Sequence, residues 1–155
     1  MFKRILIANR GEIAVRIIRT CQELGIEAVA VYSDVDSTSL HVQLADHAVC
    51  IGPAKAADSY LNMKNILSVA TALGCDAIHP GFGFLSENST FARLVEECGI
   101  TFIGPSGDVI DMMGNKSMAR QKMIEAGVPV VPGSDGSVNT LEKARAAANR
   151  IGYPV

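Results

Sequence analysis

The sequence predicts an α/β fold, in which a doubly wound parallel sheet of about five strands carries helices on both faces. Short apolar segments alternate with amphipathic segments of helical spacing along most of the chain. The apolar segment at residues 28–31, Ala-Val-Ala-Val, is typical of a parallel strand that is buried on both faces. Glycines follow the amphipathic segments, where they commonly end helices. The 155 residues, 48% of them hydrophobic, are sufficient for a substantial core.

The first part of the chain contains the strands and the helices that connect them. The strands are predicted at residues 4–8, 27–32, 48–51, 76–79 and 100–103. The helices are predicted at residues 12–24, 40–44, 62–73 and 91–98. The first helix has a continuous apolar stripe and ends at Gly25, and the third begins at a capping Asn62. This alternation predicts right-handed crossovers between neighbouring parallel strands.

From residue 106 onward the pattern is helical throughout. We expect a short helix capped by Ser106, a second helix at residues 116–126 and a third at residues 140–151. The last residues, 152–155, look like the beginning of a new strand, which would have nothing to pair with. The chain is therefore expected to be a fragment of a longer protein.

Charge and composition exclude several classes of partner. The net charge of −2 and the isoelectric point near 5.9 do not suit binding to nucleic acid or to an anionic membrane. No apolar run approaches the ~20 residues of a membrane helix, and the N-terminus does not resemble a signal peptide. The four cysteines are scattered among apolar neighbours, without a C-x-x-C pair. They predict reduced, buried thiols in a cytoplasmic protein and no metal site.

The most distinctive segment is the loop at residues 79–88, His-Pro-Gly-Phe-Gly-Phe-Leu-Ser-Glu-Asn. It follows a predicted buried strand and precedes an amphipathic helix. Gly81 and Gly83 lack Cβ atoms, so a ligand could approach the backbone closely. In the alternative interpretation, the glycines serve only tight turns, and Ser86 or Asn88 caps the next helix.

Residues 9–12, Asn-Arg-Gly-Glu, follow the first strand, where a Rossmann fold carries its dinucleotide loop. The G-x-G-x-x-G fingerprint is missing, so the sequence does not predict an NAD site. Asp34 and Asp36 follow the second strand and are interpreted as turn formers. We expect Arg10 and Glu12 to have a structural role, paired with each other or with neighbouring loops.

Five segments together resemble biotin carboxylases, in the same order and spacing. They are residues 5–14, 79–88, 102–105, 113–116 and 127–134. The chain departs from the family pattern at Phe82, where tyrosine is common, and at Asn115, where aspartate is frequent. The resemblance implies ATP-dependent carboxylation of biotin by bicarbonate through carboxyphosphate. This reaction is commonly the first step of acetyl-CoA carboxylase in fatty-acid synthesis, and the same domain opens pyruvate and propionyl-CoA carboxylases.

The resemblance also implies an organisation into domains. Residues 1–113 would form the domain that precedes the ATP-grasp, and residues 114–155 would begin the ATP-grasp domain. The parent enzyme would use ATP, Mg²⁺, bicarbonate and biotin. Its partners would be a biotin carboxyl carrier protein, carboxyltransferase subunits and a second copy of itself. The family's glycine-rich flap, magnesium ligands, base and biotin-facing arginine lie later in the chain, so this piece alone would be catalytically silent.

The resemblance can be carried over to few residues. Lys116 matches the family position that contacts the nucleotide phosphates, where an ammonium offsets their charge. The loop is implied to line the active site, with candidate residues His79, Gly81, Phe82, Gly83 and Glu87. None of them is assigned a catalytic role. His79 is equally compatible with a structural hydrogen bond, and Phe82 lacks the hydroxyl of a tyrosine.

Arg16, Arg19 and Glu23 share the face of the first helix that lies opposite its apolar stripe. In the family this helix contributes to a homodimer, and these charges could pair across a two-fold axis. The alternative is an ordinary solvated face. Two other functions remain open from the sequence: another ATP-grasp ligase, and a non-catalytic dimerisation or scaffolding module.

Overall fold

The computed structural model describes residues 2–134, 136 and 138–154. These residues form two compact units, one up to Ile110 and the other from Asp111 onward. The last residue of the strand start predicted at residues 152–155 is Val155, which lies outside the described residues.

The first unit is built on a five-stranded parallel sheet. Its strands are β1 (Arg4–Ile7), β2 (Glu27–Ser33), β3 (His47–Gly52), β4 (Ala77–His79) and β5 (Thr101–Phe102). Their spatial order is β3-β2-β1-β4-β5, and every neighbouring pair is parallel. At the centre of the sheet, Leu6 of β1 is in register with Val29 of β2 and Ile78 of β4. The predicted five-stranded parallel sheet is confirmed.

The helices also follow the predicted order. They are α1 (Gly11–Glu23), α2 (Leu40–Leu44), α3 (Met63–Ala72), α4 (Ser89–Glu97), α5 (Gly107–Gly114), α6 (Lys116–Glu125) and α7 (Leu141–Ile151). Short 3₁₀ turns occur at Asp34–Asp36 and Ala56–Asp58. The side chains of Asn62, Asn88, Asn115 and Thr140 cap α3, α4, α6 and α7 by accepting backbone N–H groups. Over the described residues, no helix combines the length and the apolarity needed to cross a bilayer.

Two hydrophobic cores cover the two faces of the sheet. Adjacent residues of β1 point to opposite faces, so Leu6 belongs to one core and Ile7 to the other, and both are fully buried. The first core contains Ile66 of α3 and Phe91 of α4, and the second contains Ile18 of α1. The sheet is therefore doubly wound, as the continuous apolar strands predict.

The prediction of four buried thiols is wrong for two cysteines. Cys21 and Cys75 are buried, but Cys50 and Cys98 are exposed. Cys50 lies on β3, which is an edge strand with incomplete cover, and Cys98 follows the last turn of α4. Burial raises the pKa of Cys75 to about 11, so this thiol stays protonated at neutral pH.

His41 of α2 is buried in an unusual way, with 1% of its surface exposed. Its Nε2 lies 3.3 Å from the carbonyl oxygen of Val31. Its Nδ1 is buried and has no hydrogen-bond partner among the described residues. Burial lowers the pKa of His41, and it also lowers the pKa of His79. Burial therefore favours the neutral form of both imidazoles in the folded chain.

We expect the free energy of unfolding to decrease as the pH falls below 6.5, the ordinary pKa of histidine. Below that value the unfolded chain binds protons that the buried imidazoles do not, so protonation favours unfolding. One such group contributes at most about 1.4 kcal/mol per pH unit. Urea unfolding between pH 7.5 and 5 measures this slope.

The variant His41→Gln keeps a donor toward Val31 and removes the titrating group, so its slope should be smaller. Equal slopes for the original chain and His41→Gln would contradict the assignment.

Candidate functional site

The candidate site lies where the carboxyl ends of β1 and β4 meet. The chain winds from β1 to β2 and β3 on one side, and β4 and β5 lie on the other. In open α/β sheets, ligands bind outside the carboxyl ends of the strands at this switch point. The segment after β1 and the loop at residues 79–88 after β4 meet there.

Asn9 holds the loop in place. Its side chain is 3% exposed, and its Nδ2 donates hydrogen bonds to the carbonyl oxygens of Pro80 at 2.7 Å and Phe82 at 2.8 Å. Gly81 lies between these two carbonyls with φ +67°, and a Cβ there would be 2.7 Å from Asn9 Nδ2. The glycine is thus needed for the close approach of Asn9, a reason that the local sequence did not reveal.

His79 also stabilises the turn. Its Nδ1 accepts a hydrogen bond from the N–H of Gly81 at 3.0 Å, which requires that nitrogen to be unprotonated. The lowered pKa of the half-buried ring agrees with this role. The structure shows the structural hydrogen bond, and a contact of His79 with a ligand stays a prediction.

The remainder of the loop leads into α4 and exposes two candidate side chains. The side chain of Asn88 accepts the N–H of Phe91 at 2.8 Å and so caps the helix, as one interpretation of the sequence proposed. Phe82 is 59% exposed and Glu87 is exposed. These two side chains are free of the core and accessible from outside the sheet edge.

Asp36 does more than form a turn. Its Oδ2 accepts hydrogen bonds from the hydroxyls of Ser33 and Tyr60, each at 2.7 Å, and pairs with Arg10 Nη1 at 3.3 Å. Burial alone would raise the pKa of Asp36, but these hydrogen bonds outweigh it and lower the pKa. Burial and the bond to Asp36 raise the pKa of Tyr60 to about 12.

The structural role expected for Arg10 and Glu12 takes the form of pairs with neighbours. Arg10 pairs with Asp36, and Glu12 pairs with Arg16 at 2.9 Å, one turn along α1. The two residues therefore do not pair with each other. Arg16, Arg19 and Glu23 are all exposed on α1, so Arg16 is engaged within its own helix.

In the second unit, Lys116 is the first residue of α6. The side chain of Asn115 caps the helix by accepting the N–H groups of Ser117 and Met118, each at 3.1 Å. An open cleft of about 440 Å³ adjoins this end of the helix. Its lining includes Lys116, Ser117, Arg120, Gly133 and Ser134. Two cations one turn apart and the N-terminus of a helix together favour an anion in this cleft.

Two family models match successive parts of the chain. Residues 1–110 match the biotin carboxylase N-terminal domain, which covers more than half of the chain. The chain belongs to the biotin carboxylase family. Residues 115–155 match the ATP-binding domain of the carbamoyl-phosphate synthase large chain.

Similar proteins agree with this membership. Biotin carboxylase 1 of Bacillus subtilis is 63% identical over 155 residues, which are 100% of this chain and 34% of the relative. Biotin carboxylase of Haemophilus influenzae is 57% identical over 100% of this chain and 35% of the relative. The chain thus spans about a third of the length of the curated relatives it matches.

Solved structures of biotin carboxylases share the fold. The complex of the Campylobacter jejuni enzyme with β-γ-ATP has a TM-score of 0.94 at 49% identity, and the match covers 99% of this chain and 34% of that one. A biotin carboxylase domain dimer of the Hydrogenobacter thermophilus 2-oxoglutarate carboxylase, with MgADP, ADP and bicarbonate, has a TM-score of 0.92 at 55% identity over the same shares. The resemblance seen in the sequence motifs is confirmed.

In this biotin carboxylase domain, Gly81→Ala should be far more destabilising than Gly83→Ala. Both glycines have positive φ, which costs an alanine about 1–2 kcal/mol. Only Gly81 also contacts Asn9, because a Cβ at Gly83 meets nothing within 4 Å. Displacing the buried Asn9 amide adds about 1–3 kcal/mol. Urea unfolding measures the difference, and equal losses for the two variants would contradict the role of Asn9.

Proposed function

We propose that these residues are the N-terminal part of an ATP-dependent biotin carboxylase. In its reaction, bicarbonate attacks the γ-phosphate of ATP to give carboxyphosphate and ADP. The carboxyl group of carboxyphosphate is then transferred to a nitrogen of biotin on a carrier protein, as that nitrogen loses its proton and inorganic phosphate is released. The observation that carries the proposal is the family match along residues 1–110 and 115–155, with the family's loops at the switch point of the sheet.

The proposal assigns the nucleotide phosphates to Lys116. Its ammonium borders the cleft at the N-terminus of α6, and Arg120 lies one turn further along the same helix. Structures of relatives contain ADP, MgADP and bicarbonate, which supports ATP, Mg²⁺ and bicarbonate as the ligands of the whole enzyme. We place the magnesium ligands beyond Val155, as the family resemblance implies.

The loop at residues 79–88 is proposed to border the place where biotin and bicarbonate react. Its backbone is fixed by Asn9 and His79, while Phe82 and Glu87 remain accessible. A fixed backbone with exposed side chains is suited to shaping a binding site. Because Phe82 has no hydroxyl, we assign it a shape-determining contact rather than a hydrogen bond.

The proposal extends to the organisation of the whole protein. Residues 1–113 would precede the ATP-grasp domain, which begins at residue 114. The enzyme would act in the cytoplasm with a biotin carboxyl carrier protein and carboxyltransferase subunits. In acetyl-CoA carboxylase this reaction begins fatty-acid synthesis.

A homodimer is proposed through the polar face of α1. Arg16, Arg19 and Glu23 are exposed there, and a related domain has been solved as a dimer. Arg16 already pairs with Glu12, whereas Arg19 and Glu23 have no ion-pair partner within the described part of the chain. We therefore assign the principal contacts across the two-fold axis to Arg19 and Glu23.

Calorimetric titration with MgATP tests the nucleotide site. We expect no measurable binding to this chain and micromolar binding to a full-length fusion, in which these residues are followed by the unmatched part of Bacillus subtilis biotin carboxylase 1. One charge-assisted contact of about 1.5–3 kcal/mol is insufficient for micromolar affinity. Comparable micromolar binding to the short chain would show a complete nucleotide site within it and contradict the proposal.

In the same fusion, Lys116→Met should weaken MgATP binding by roughly tenfold to a hundredfold, because it removes one charge-assisted contact. The control is Lys122→Met, on the same helix, where the ammonium pairs with Glu125 at 2.8 Å. Equal affinities for the two variants would contradict the assignment of Lys116.

Charge reversal tests the dimer. Glu23→Arg should raise the dimer dissociation constant of the fusion about tenfold or more, because like charges then face each other. The double variant Arg19→Glu with Glu23→Arg should restore association. Sedimentation or light scattering gives the constants. An unchanged dimer dissociation constant for Glu23→Arg would contradict the proposed pairing of Arg19 with Glu23. A fusion that forms dimers but has no carboxylase activity would favour the scaffolding alternative.

A further inference from the structure

We propose that Arg10, Asp36 and Tyr60 form a positioning cluster for biotin carboxylation. They would act through Phe84, which belongs to the loop at residues 79–88, and would touch no reacting atom themselves. This inference rests on the proposed function, since it concerns the loop assigned there to biotin and bicarbonate. Its physical basis is the set of contacts between these three side chains and the ring of Phe84.

The cluster is organised around one oxygen atom. Asp36 Oδ2 accepts the hydroxyls of Ser33 and Tyr60 and also pairs with Arg10. The Tyr60 hydroxyl in turn accepts the backbone N–H of Ser33 at 3.0 Å. Tyr60 is 1% exposed, so its phenol can neither rotate freely nor exchange these partners for water. The plane of the ring is therefore fixed.

Phe84 rests on this fixed ring. The two ring centroids are 5.2 Å apart and the planes differ by 11°, which is an offset stack. The guanidinium carbon of Arg10 lies 5.3 Å from the centroid of Tyr60 and 5.7 Å from that of Phe84. One cation thus contacts both rings while it pairs with Asp36. The Asp36 carboxylate therefore fixes the Arg10 guanidinium, and this guanidinium and the Tyr60 ring together hold the ring of Phe84.

The backbone of Phe84 needs such support. Its φ is +44°, the only positive φ of a non-glycine residue in the described part of the chain. Side chains with a Cβ rarely adopt this conformation unless surrounding contacts impose it. Strained residues of this kind concentrate at binding and catalytic sites.

Two independent supports thus hold successive parts of one loop. Asn9 holds the carbonyls of Pro80 and Phe82, and the cluster holds Phe84 two residues later. The exposed Phe82 is held at its carbonyl by Asn9, and its chain continues through Gly83 to the second support at Phe84. Loosening Phe84 should therefore displace the part of the loop assigned to biotin, while leaving the nucleotide contact at Lys116 unchanged.

The first test uses this 155-residue chain and amide hydrogen exchange. Asp36→Asn and Phe84→Leu should speed exchange at Ser86, whose N–H donates to the Gly83 carbonyl, by about tenfold or more. Exchange in β1 and at residues 28–31 of β2, away from Ser33, should not change, which shows that the variants fold. Phe84→Tyr keeps the ring and should keep the protection. The control Glu27→Gln removes a carboxylate paired with Arg4 at the opposite end of the sheet and should have no effect on the loop.

The second test measures steady-state kinetics of the full-length fusion with free biotin. Asp36→Asn and Phe84→Leu should lower kcat/KM for biotin about tenfold, with KM for ATP within about twofold of the original. Phe84→Tyr keeps an aromatic ring at this position and should keep the original kcat/KM for biotin. A general disruption of the fold would instead impair the kinetic parameters for biotin and for ATP together.

Three outcomes would overturn the inference in different ways. Unchanged exchange at Ser86 in both variants would show that the cluster does not hold the loop, and would leave the proposed function intact. Faster exchange with unchanged kcat/KM for biotin would show that the loop conformation does not matter for carboxylation. If the fusion without substitutions forms no carboxybiotin, the proposed function itself fails.

Discussion

The hydrogen bonds from the Asn9 amide to two carbonyls of the neighbouring loop are the interaction on which the site depends. Asn9 lies two residues after Ile7, the last residue of the central strand β1, and is almost fully buried. Leaving a buried amide without partners costs about 1–3 kcal/mol, so the loop conformation that satisfies it is strongly favoured. The carbonyls of Pro80 and Phe82 gain a donor in the same contact. The loop backbone is thereby fixed from the inside of the protein, and Phe82 and Glu87 stay accessible.

This contact is possible because the sheet places β1 between β2 and β4. Leu6 and Ile7 anchor β1 in both cores, so the position at which the strand ends is rigid. The segment after β1 consequently contacts the loops that follow both neighbouring strands, β2 and β4. Asn9 contacts the loop after β4, and Arg10 contacts Asp36, which follows β2. The residues that follow β1 therefore position the loops on both sides of the switch point.

The sequence predicts elements of this fold well, because its signals for them are local. Strands buried on both faces give continuous apolar runs, and Asn62 and Asn88 mark helix starts. Contacts far apart in the sequence give no such signal. Asn9 and Pro80 are separated by 71 residues, and nothing near Gly81 shows that an asparagine will press against it. The exposure of Cys50 depends on β3 being an edge strand, which follows from strand order rather than from its neighbours in sequence.

The energetics of nucleotide binding explain why the second unit would supply only part of a site. Micromolar affinity requires about 8 kcal/mol, and one charge-assisted hydrogen bond contributes about 1.5–3 kcal/mol. Lys116 and Arg120 together could thus supply at most about 6 kcal/mol. Arg120 already donates to the carbonyl of Val131 at 3.1 Å, which reduces its share. Both are on a surface helix with no buried residue, where solvent weakens each contact further. If the proposed nucleotide site is at α6, this cleft would therefore supply only phosphate contacts, and the adenine and ribose would need contacts from other residues.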